Sequence, residues 1–486
     1  MPSAAYSIKV LKPESELNRG VMTQTIGGIE ALRTAMTGAV VTPNDPDYDQ
    51  ARKVWNADID HHPAVVVQCA TAQDVAEAIR FAQDQGLELA VRSGAHSMPG
   101  YSSVENGLVI DVSRMNQVTV DPEAKRARVQ GGALLRDLDA ATQGYGLAVP
   151  AGLVGHTGVT GLTLGGGMGW LTRQAGLSID NLVSAEVVVA DGTILRAAED
   201  ENPDLFWAIR GGGGNFGVVT ELEFRLHDVD PLVQFGLVFW DAGQGKQALR
   251  LMREVVAELP RSLNAIPAAL TAPPAPFVPP EHHHKLGYAL LLVGFADGAG
   301  HQQVLDRVRS SLPPLFEYVT PMPYVTLQQL LDEANAWGFY GYDRGAYFED
   351  LSDAMIDVFT EHVPRRTSPL SVVLFYRLDE AYSEINDDET AFGGGRSPRY
   401  MGFFIGLCPK PDLLPPEREW VRSMWDDLKP HMIGTTAYVN ALEGQEGDRV
   451  RETYGHKYQR LATIKAKYDP QNIFHRNVNI EPAQPA

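Results

Sequence analysis

The most glycine-dense stretch of the chain reads Pro150-Ala-Gly-Leu-Val-Gly-His-Thr-Gly-Val-Thr-Gly-Leu-Thr-Leu-Gly-Gly-Gly-Met-Gly-Trp170. It matches neither of two familiar nucleotide-binding patterns. Gly165, Gly167 and the residues after them do not form a clean G-x-G-x-x-G motif, and the Gly-Lys-Ser/Thr of a phosphate loop is absent. The segment instead predicts a glycine-rich backbone that lies flat along a large planar or extended ligand.

Two further glycine-rich segments flank this one in sequence. The first, Val91-Arg-Ser-Gly-Ala-His-Ser-Met-Pro-Gly100, follows a predicted strand, and the consecutive amides of such a turn suit a pyrophosphate. His96 adds a nucleophilic nitrogen there, although on this segment alone a loop histidine without a role is the simpler interpretation. The second, Arg210-Gly-Gly-Gly-Gly-Asn-Phe-Gly217, enters a strand. Four successive glycines therefore predict a backbone that fits tightly against another group.

Composition narrows the class of protein. The chain has 486 residues with 44% hydrophobic side chains, which favours two globular domains. A net charge of -20 without a basic patch argues against a nucleic-acid partner. No apolar run is long enough to span a membrane and the N-terminus lacks a secretory signal, so we expect a cytoplasmic protein with no membrane partner.

Neither the cysteines nor the histidine cluster predicts a metal site. Cys69 and Cys408 are far apart and lack metal or redox spacing, so we expect two free or buried thiols. His282, His283 and His284 are adjacent on a Pro-rich loop and have no carboxylate at helical spacing, which favours a solvated loop.

Local sequence patterns divide the chain into a first half, a second half and a C-terminal tail. Residues 64–92 predict a β-α-β unit whose helix is capped by Thr71 and ends at Gly86. The first half reads as α+β with more strand than helix. After about His227 alternating patterns indicate antiparallel strands, and the tail contains a helix over roughly 448–468.

The order of the long motifs resembles that of one family. They are RSGAHS around His96, GLTLGGGMGWL, Gly176-Leu-Ser-Ile-Asp-Asn181, ENPDLFWAIRGGGGNFGVV, and the tail Tyr468-Asp-Pro-Gln-Asn-Ile-Phe-His-Arg-Asn-Val-Asn-Ile480. Together they resemble the berberine-bridge-enzyme-like FAD-linked oxidases of the vanillyl-alcohol-oxidase superfamily, which has a PCMH-type FAD-binding domain. The middle of the chain, roughly 230–440, matches only in general layout.

The resemblance implies an α+β fold with a two-subdomain FAD-binding domain and a substrate domain whose antiparallel sheet roofs the flavin. On this chain it predicts an N-terminal leader at 1–40, the FAD-binding domain at 41–228, the substrate-binding domain at 229–441, and a C-terminal segment at 442–486 that returns to the FAD domain.

The resemblance also implies covalent attachment of FAD through His96, with Ala95 in place of a glycine that is usual in the motif. Many relatives form a second bond through a cysteine, but Val154 stands at that position, so we predict attachment by histidine only. The predicted cofactor-binding residues are Arg92, Ser93, Gly94, Ala95, His96, Ser97, Gly100, Gly152, Val154, Gly155, Thr157, Gly158, Gly161, Leu162, Gly165, Gly166, Gly169, Asn181, Gly217, Val219, Asn477 and Asn479.

The family's reaction is implied in the same way: oxidation of a small organic molecule by hydride transfer to flavin N5, with O2 as acceptor. The expected second tyrosine of a Tyr-x-Asn-Tyr segment is Ala441 here, and Phe403 and Phe404 are apolar where several relatives have a polar base. Tyr438, Tyr400 and Tyr376 are the candidate substitutes, although on the sequence alone a packed strand aromatic is the simpler interpretation of each. Two alternatives remain open, a dehydrogenase or reductase that avoids O2, with a deazaflavin in place of FAD, and a flavin-holding protein without catalysis.

Overall fold

The computed structural model describes residues 28–434, 438–442 and 447–484. Within these residues the chain forms an α+β fold with four-, five- and seven-stranded sheets and a two-stranded pair. None of the helices there has the length and apolar character needed to cross a bilayer. Residues 1–27 of the predicted leader lie outside the described residues. Its remainder is part of the fold, because β1 (Ala39–Val41), which follows α1 (Ile29–Ala35), joins the first sheet.

The first sheet contains the predicted β-α-β unit. Its other elements are α2 (Tyr48–Ala51), β2 (Val65–Gln68), α3 (Ala72–Gln85), β3 (Leu89–Arg92) and β4 (Leu108–Asp111). The strand order is β1-β2-β4-β3, with β4 parallel to both neighbours. The helix boundaries follow the predicted signals, because the Thr71 side chain accepts a hydrogen bond from the Asp74 amide and Gly86 ends the helix at φ +63°.

The second sheet is antiparallel, in the order β5-β6-β10-β8-β9. This part of the chain contains β5 (Val118–Asp121), β6 (Arg126–Gln130), α4 (Leu135–Gln143), β7 (Leu147–Ala148), α5 (Val159–Leu164), α6 (Thr172–Ala175), β8 (Leu182–Val188), β9 (Ile194–Ala198), α7 (Pro203–Ile209), β10 (Val218–Arg225) and β11 (His227–Asp228). The glycine-rich segment is thus a short helix, α5, followed by irregular backbone.

The seven-stranded sheet, here called the roof sheet, is antiparallel throughout. The elements of this part of the chain are β12 (Leu232–Asp241), α8 (Gly245–Ala257), β13 (Leu263–Thr271), β14 (Leu286–Gly294), α9 (Gly298–Ser311), β15 (Phe316–Pro323), α10 (Tyr324–Gln328), β16 (Tyr340–Phe348), α11 (Asp353–His362), β17 (Val372–Leu378), α12 (Ala381–Glu384), β18 (Arg399–Cys408) and α13 (Leu414–Leu428). The strands of the roof sheet lie in the order β15-β12-β14-β13-β17-β18-β16.

The two faces of the roof sheet have different neighbours because strand side chains alternate. Val373, Phe375 and Phe404 are buried in one core with side chains of α8, α11 and α13. Val372 and Leu374 point the other way, toward the first half of the chain. The sheet is therefore covered by helices on one side and closes a cavity on the other.

The C-terminal tail packs against the first half. The predicted single helix is divided into α14 (Gly447–Tyr454) and α15 (Tyr458–Tyr468), with Gly455 between them at φ +52°. Asn215 ties the tail to the four-glycine loop, since its side chain donates to the Val478 carbonyl and accepts from the Ile480 amide, at 3.0 and 2.9 Å. The tail thereby holds that loop in place.

Candidate active site

A cavity of about 510 Å³ lies between the glycine-rich loops of the first half and the roof sheet. Its floor comes from all three glycine-rich segments and the tail. Of the predicted cofactor-binding residues, those that line it are Ser93, Gly94, Ala95, His96, Ser97, Gly152, Val154, Thr157, Gly158, Gly161, Leu162, Gly217, Val219 and Asn477.

Several predicted cofactor residues do not line this cavity because they bind protein instead. Arg92 is buried, donates to the Asp111 carboxylate, and donates to backbone carbonyls of the preceding loop. The Asn181 side chain donates through Nδ2 to the carbonyls of Ala175 and Leu177, and its Oδ1 accepts a hydrogen bond from His227 Nε2. Neighbouring Asn477 lines the cavity, but Asn479 does not. Arg92 and Asn181 therefore hold the loops that carry the site, whereas Asn479 Oδ1 is buried without a partner among the described residues.

Five predicted glycines also do not line the cavity. At four of them, neighbouring atoms leave too little room for a Cβ, which explains why the residue is glycine. A Cβ on Gly165 would lie 2.1 Å from Asn440 Oδ1, and one on Gly169 would lie 1.7 Å from the Ala151 carbonyl. A Cβ on Gly166 would touch Phe392 and Tyr438, and one on Gly100 would meet Ile59. The fifth is Gly155, whose amide donates to Asp332 Oδ1 at 2.6 Å. The glycine-rich segment therefore lies along the cavity mainly over residues 152–164; in its second part Met168 lines the cavity and the glycines are packed against other protein segments.

His96 is held from two sides. Its ring stacks on Trp55, with centroids 4.8 Å apart, and its Nε2 is 2.6 Å from His156 Nδ1. Burial lowers the pKa of His96 to about 3, with a smaller contribution from His156. The imidazole is therefore neutral at physiological pH. Ala95, just before it, has φ +55° in the left-handed region, a conformation that costs a residue with a Cβ roughly 1 kcal/mol.

The hydrogen-bond chain assigns the tautomer of His96. His156 Nε2 is 3.4 Å from the Asp332 carbonyl oxygen, which can only accept, so Nε2 of His156 carries the proton. With its proton on Nε2, His156 accepts at Nδ1 from the Nε2–H of His96. Because His96 is neutral, its Nδ1 keeps a lone pair. His96 thus presents an unprotonated nitrogen in the cavity wall.

Four residues around His96 were missed in the sequence, namely Trp55, His156, Asp332 and Asn335, and the last two come from the second half of the chain. The Trp55 indole donates to the Asn335 carbonyl at 2.6 Å, and Asp332 contacts both Gly155 and His156. Of the missed residues, His156 alone had a signal in the sequence, because it lies inside the glycine-rich segment. Nothing in the local pattern around Trp55, Asp332 or Asn335 indicates a site.

The cavity floor fits a large flat ligand. A Cβ built on Gly161 or Gly214 would meet no atom within 4 Å, so both face open space. Three polar side-chain atoms of cavity-lining residues, Ser102 Oγ, Arg476 Nε and Asn477 Oδ1, have no hydrogen-bond partner among the described residues. Buried polar atoms of this kind are normally paired, so they are suited to hydrogen bonds with a bound ligand.

Two of the three predicted tyrosines reach the cavity, Tyr376 from β17 of the roof sheet and Tyr438 from the segment after α13. Tyr376 and Tyr438 line it on either side of Phe403, with ring centroids 5.4 and 6.0 Å from that of Phe403. Tyr400 is in the core between the sheet and its helices, because it lies an odd number of residues from Phe403 on β18. Phe404, also on that side, is not at the site, whereas Asp343 of β16, which was missed, lines the cavity.

Both cavity tyrosines are phenols rather than phenolates. Burial raises the pKa of Tyr438 to about 12 and raises that of Tyr376 as well. The Tyr438 hydroxyl accepts hydrogen bonds from the Gly167 amide and the Asn440 side chain, at 2.9 and 3.0 Å. Its own proton is then available to donate to an oxygen or nitrogen in the cavity.

Comparisons with known proteins agree with this arrangement. A model for the FAD binding domain matches residues 63–198, and one described as berberine and berberine like matches residues 437–481. An FAD-linked oxidoreductase from Dictyostelium discoideum is 31% identical over 93% of this chain and 96% of its own length.

Two solved structures show similar folds. 6-Hydroxy-D-nicotine oxidase from Arthrobacter nicotinovorans has a TM-score of 0.80 at 25% identity, over 92% of this chain and 98% of its own. Xylooligosaccharide oxidase from Myceliophthora thermophila has a TM-score of 0.79 at 21% identity, over 94% and 99%, a likeness of fold alone. With the sequence matches, these findings place the chain in a family: it belongs to the berberine-bridge-enzyme-like FAD-linked oxidoreductases.

Proposed function

We propose that this chain carries FAD covalently on His96 alone and oxidises a small organic molecule by hydride transfer to the flavin, with O2 as the electron acceptor. The observation that carries the proposal is His96 in the cavity wall, where burial lowers its pKa and its Nε2 lies 2.6 Å from His156 Nδ1, an arrangement that assigns the free lone pair to Nδ1. Attachment would replace a C–H bond of the flavin by a C–N bond to Nδ1, a two-electron oxidation for which O2 would be the acceptor, and the imidazole would then lose its Nε2 proton to return to neutrality. His156 Nδ1, at 2.6 Å, is in position to accept that proton.

The lining of the cavity supports attachment through histidine alone. Val154, at the position where many relatives have a cysteine, lines the cavity. Cys69 and Cys408 are both buried free thiols, in the core of the first sheet and in the core between the roof sheet and its helices. Neither thiol therefore reaches the ligand.

When bound, the flavin supplies the two-electron chemistry, and the protein orients the substrate. Tyr376 and Tyr438 remain protonated at neutral pH, so we assign them to hydrogen-bond donation toward a substrate oxygen or nitrogen rather than to proton abstraction. The roof sheet covers one side of the cavity and shields that side from water. A cytoplasmic location is part of this proposal.

Acid precipitation followed by peptide mass mapping tests the attachment. We expect the yellow colour to stay with the pellet and one peptide, containing His96, to carry the added mass of FAD. Colour in the supernatant, or added mass on a peptide without His96, would contradict the proposal. Peroxide formation during turnover in air, compared with turnover on an artificial acceptor, tests O2 as acceptor.

A further inference from the structure

The cavity face of the roof sheet is almost entirely hydrocarbon. Among the described residues of this sheet that line the cavity, only Tyr376 and Asp343 carry a polar side chain. The others come from four adjacent strands and are Ile266, Leu270, Leu291, Val372, Leu374, Phe403, Ile405 and Leu407.

This face is continuous across the strands opposite the glycine-rich floor. Leu374 pairs directly with Phe403, and Val372 with Ile405, on the neighbouring strands β17 and β18. These four side chains are partly exposed, whereas Val373, Phe375 and Phe404 between them are fully buried among helices. Apolar side chains left partly open in an otherwise buried sheet indicate a surface that a ligand covers.

Polar groups are concentrated at two points of this surface. Tyr376 and Tyr438 flank Phe403, and Asp343 lies on the outer strand β16, paired with Ile405. A substrate covered by the aliphatic face can therefore place one polar group against the phenols. It has few partners for more, and each buried hydroxyl without a partner weakens binding about tenfold.

We propose that the substrate is a predominantly hydrocarbon molecule, planar or ring-containing, with a single hydroxyl or amine directed at Tyr376 and Tyr438, and not a polyhydroxylated sugar. This inference rests on the proposed function. It concerns the roof sheet, whereas all the residues predicted to bind the flavin lie outside the strands of that sheet.

The test uses the purified flavoprotein and three probes. 2-Naphthol, which has no carbinol hydrogen to transfer, reports binding alone through the shift that it causes in the flavin absorbance. Cinnamyl alcohol and xylobiose, under anaerobic conditions, report reduction through loss of the flavin absorbance. We expect 2-naphthol to bind, cinnamyl alcohol to reduce the flavin, and xylobiose to do neither at the same concentrations.

Two variants test whether 2-naphthol binds against the cavity face of the roof sheet. Val372→Thr with Ile405→Thr keeps β-branched side chains on the strands while adding two hydroxyls to the cavity face. We expect it to weaken 2-naphthol binding at least fivefold. Val319→Thr is the matched control, because Val319 lies on an exposed part of the same sheet, in β15, away from the cavity. We expect it to bind as the native protein does.

Each outcome is decisive. Reduction by xylobiose, absence of any response to 2-naphthol, or equal binding by the double variant and the native protein would overturn the substrate class while leaving a flavoprotein. A protein that carries no flavin after purification, or whose flavin is not attached through His96, would instead overturn the proposed function and this inference with it.

Discussion

His96 and His156 are separated by 60 residues in sequence, yet Nε2 of the first and Nδ1 of the second are 2.6 Å apart. This bond assigns the proton of His96 to the nitrogen that faces protein and leaves Nδ1 directed away from His156. Trp55 holds the other face of the ring. The site therefore contains a neutral, oriented nucleophile rather than a histidine free to rotate.

The first prediction concerns this pair. His96→Ala should abolish covalent flavin, and His156→Ala should leave His96 in place but lower the covalently loaded fraction at least tenfold after a fixed incubation with FAD, because the proton acceptor is gone. The measurement is intact mass after acid precipitation. His283→Ala, on the Pro-rich loop, is the control and should load fully. Complete loading of His156→Ala would contradict the assigned role.

Two glycine substitutions distinguish a glycine that is needed for packing from one that faces the space left for the ligand. In Gly94→Ala the new Cβ would lie 2.1 Å from the Gly158 amide nitrogen, so we expect a large loss of stability. In Gly161→Ala the Cβ meets only open space, and α5 gains roughly 1 kcal/mol of helix propensity. We expect a normally folded apoprotein with reduced flavin content.

Thermal melting with and without FAD, and the ratio of flavin to protein absorbance, measure both effects. Normal flavin content in Gly161→Ala would show that this part of the cavity does not hold the cofactor.

Asp139 makes stability depend on pH. Its buried carboxyl accepts one hydrogen bond, from Gln328 Nε2 at 3.3 Å, and also faces Tyr324 and Asp332. Burial raises the pKa of Asp139 from 3.8 to about 7. Below pH 4 the carboxyl is protonated in both states. Between pH 4 and 7 only the unfolded state loses its proton, so the free energy of unfolding falls by up to about 1.4 kcal/mol per pH unit.

Asp139→Asn should remove this contribution. We expect the variant to melt at a higher temperature than the native protein at pH 8 and to differ little from it at pH 4. Differential scanning fluorimetry across this range is the measurement, and Asp84→Asn, on the exposed side of α3, is the control. If the native protein and Asp139→Asn lose stability in parallel as the pH rises, the pKa of Asp139 is not raised.

Substituting the three tyrosines tests whether the cavity side or the helix-covered side of the roof sheet contributes to flavin reduction. Tyr438→Phe and Tyr376→Phe remove hydroxyls that line the cavity, and we expect each to lower the rate constant for flavin reduction about tenfold or more. Tyr400→Phe changes the helix-covered face and should stay within about twofold. Stopped-flow absorbance under anaerobic conditions gives the rate constants. A larger effect from Tyr400 than from the other two would reverse the assignment.

Much of the fold was accessible from local pattern. The β-α-β unit, the cap at Thr71, the end of α3 at Gly86 and the family motif around His96 are all short-range features, and each is decided by residues within a few positions of one another. The antiparallel strands of the second half were also predictable, because the alternation of apolar and polar side chains can be seen within a single strand.

The tertiary structure alone decided which side chains meet. Tyr400 and Phe403 differ in face because of strand parity, and a shift of one residue in the register would exchange them. Gly161 faces the cavity while Gly165 packs against Asn440, although both belong to one glycine-rich segment. Spacing in sequence determines the kind of backbone that forms, whereas contacts between residues far apart in the chain depend on how sheets and loops pack.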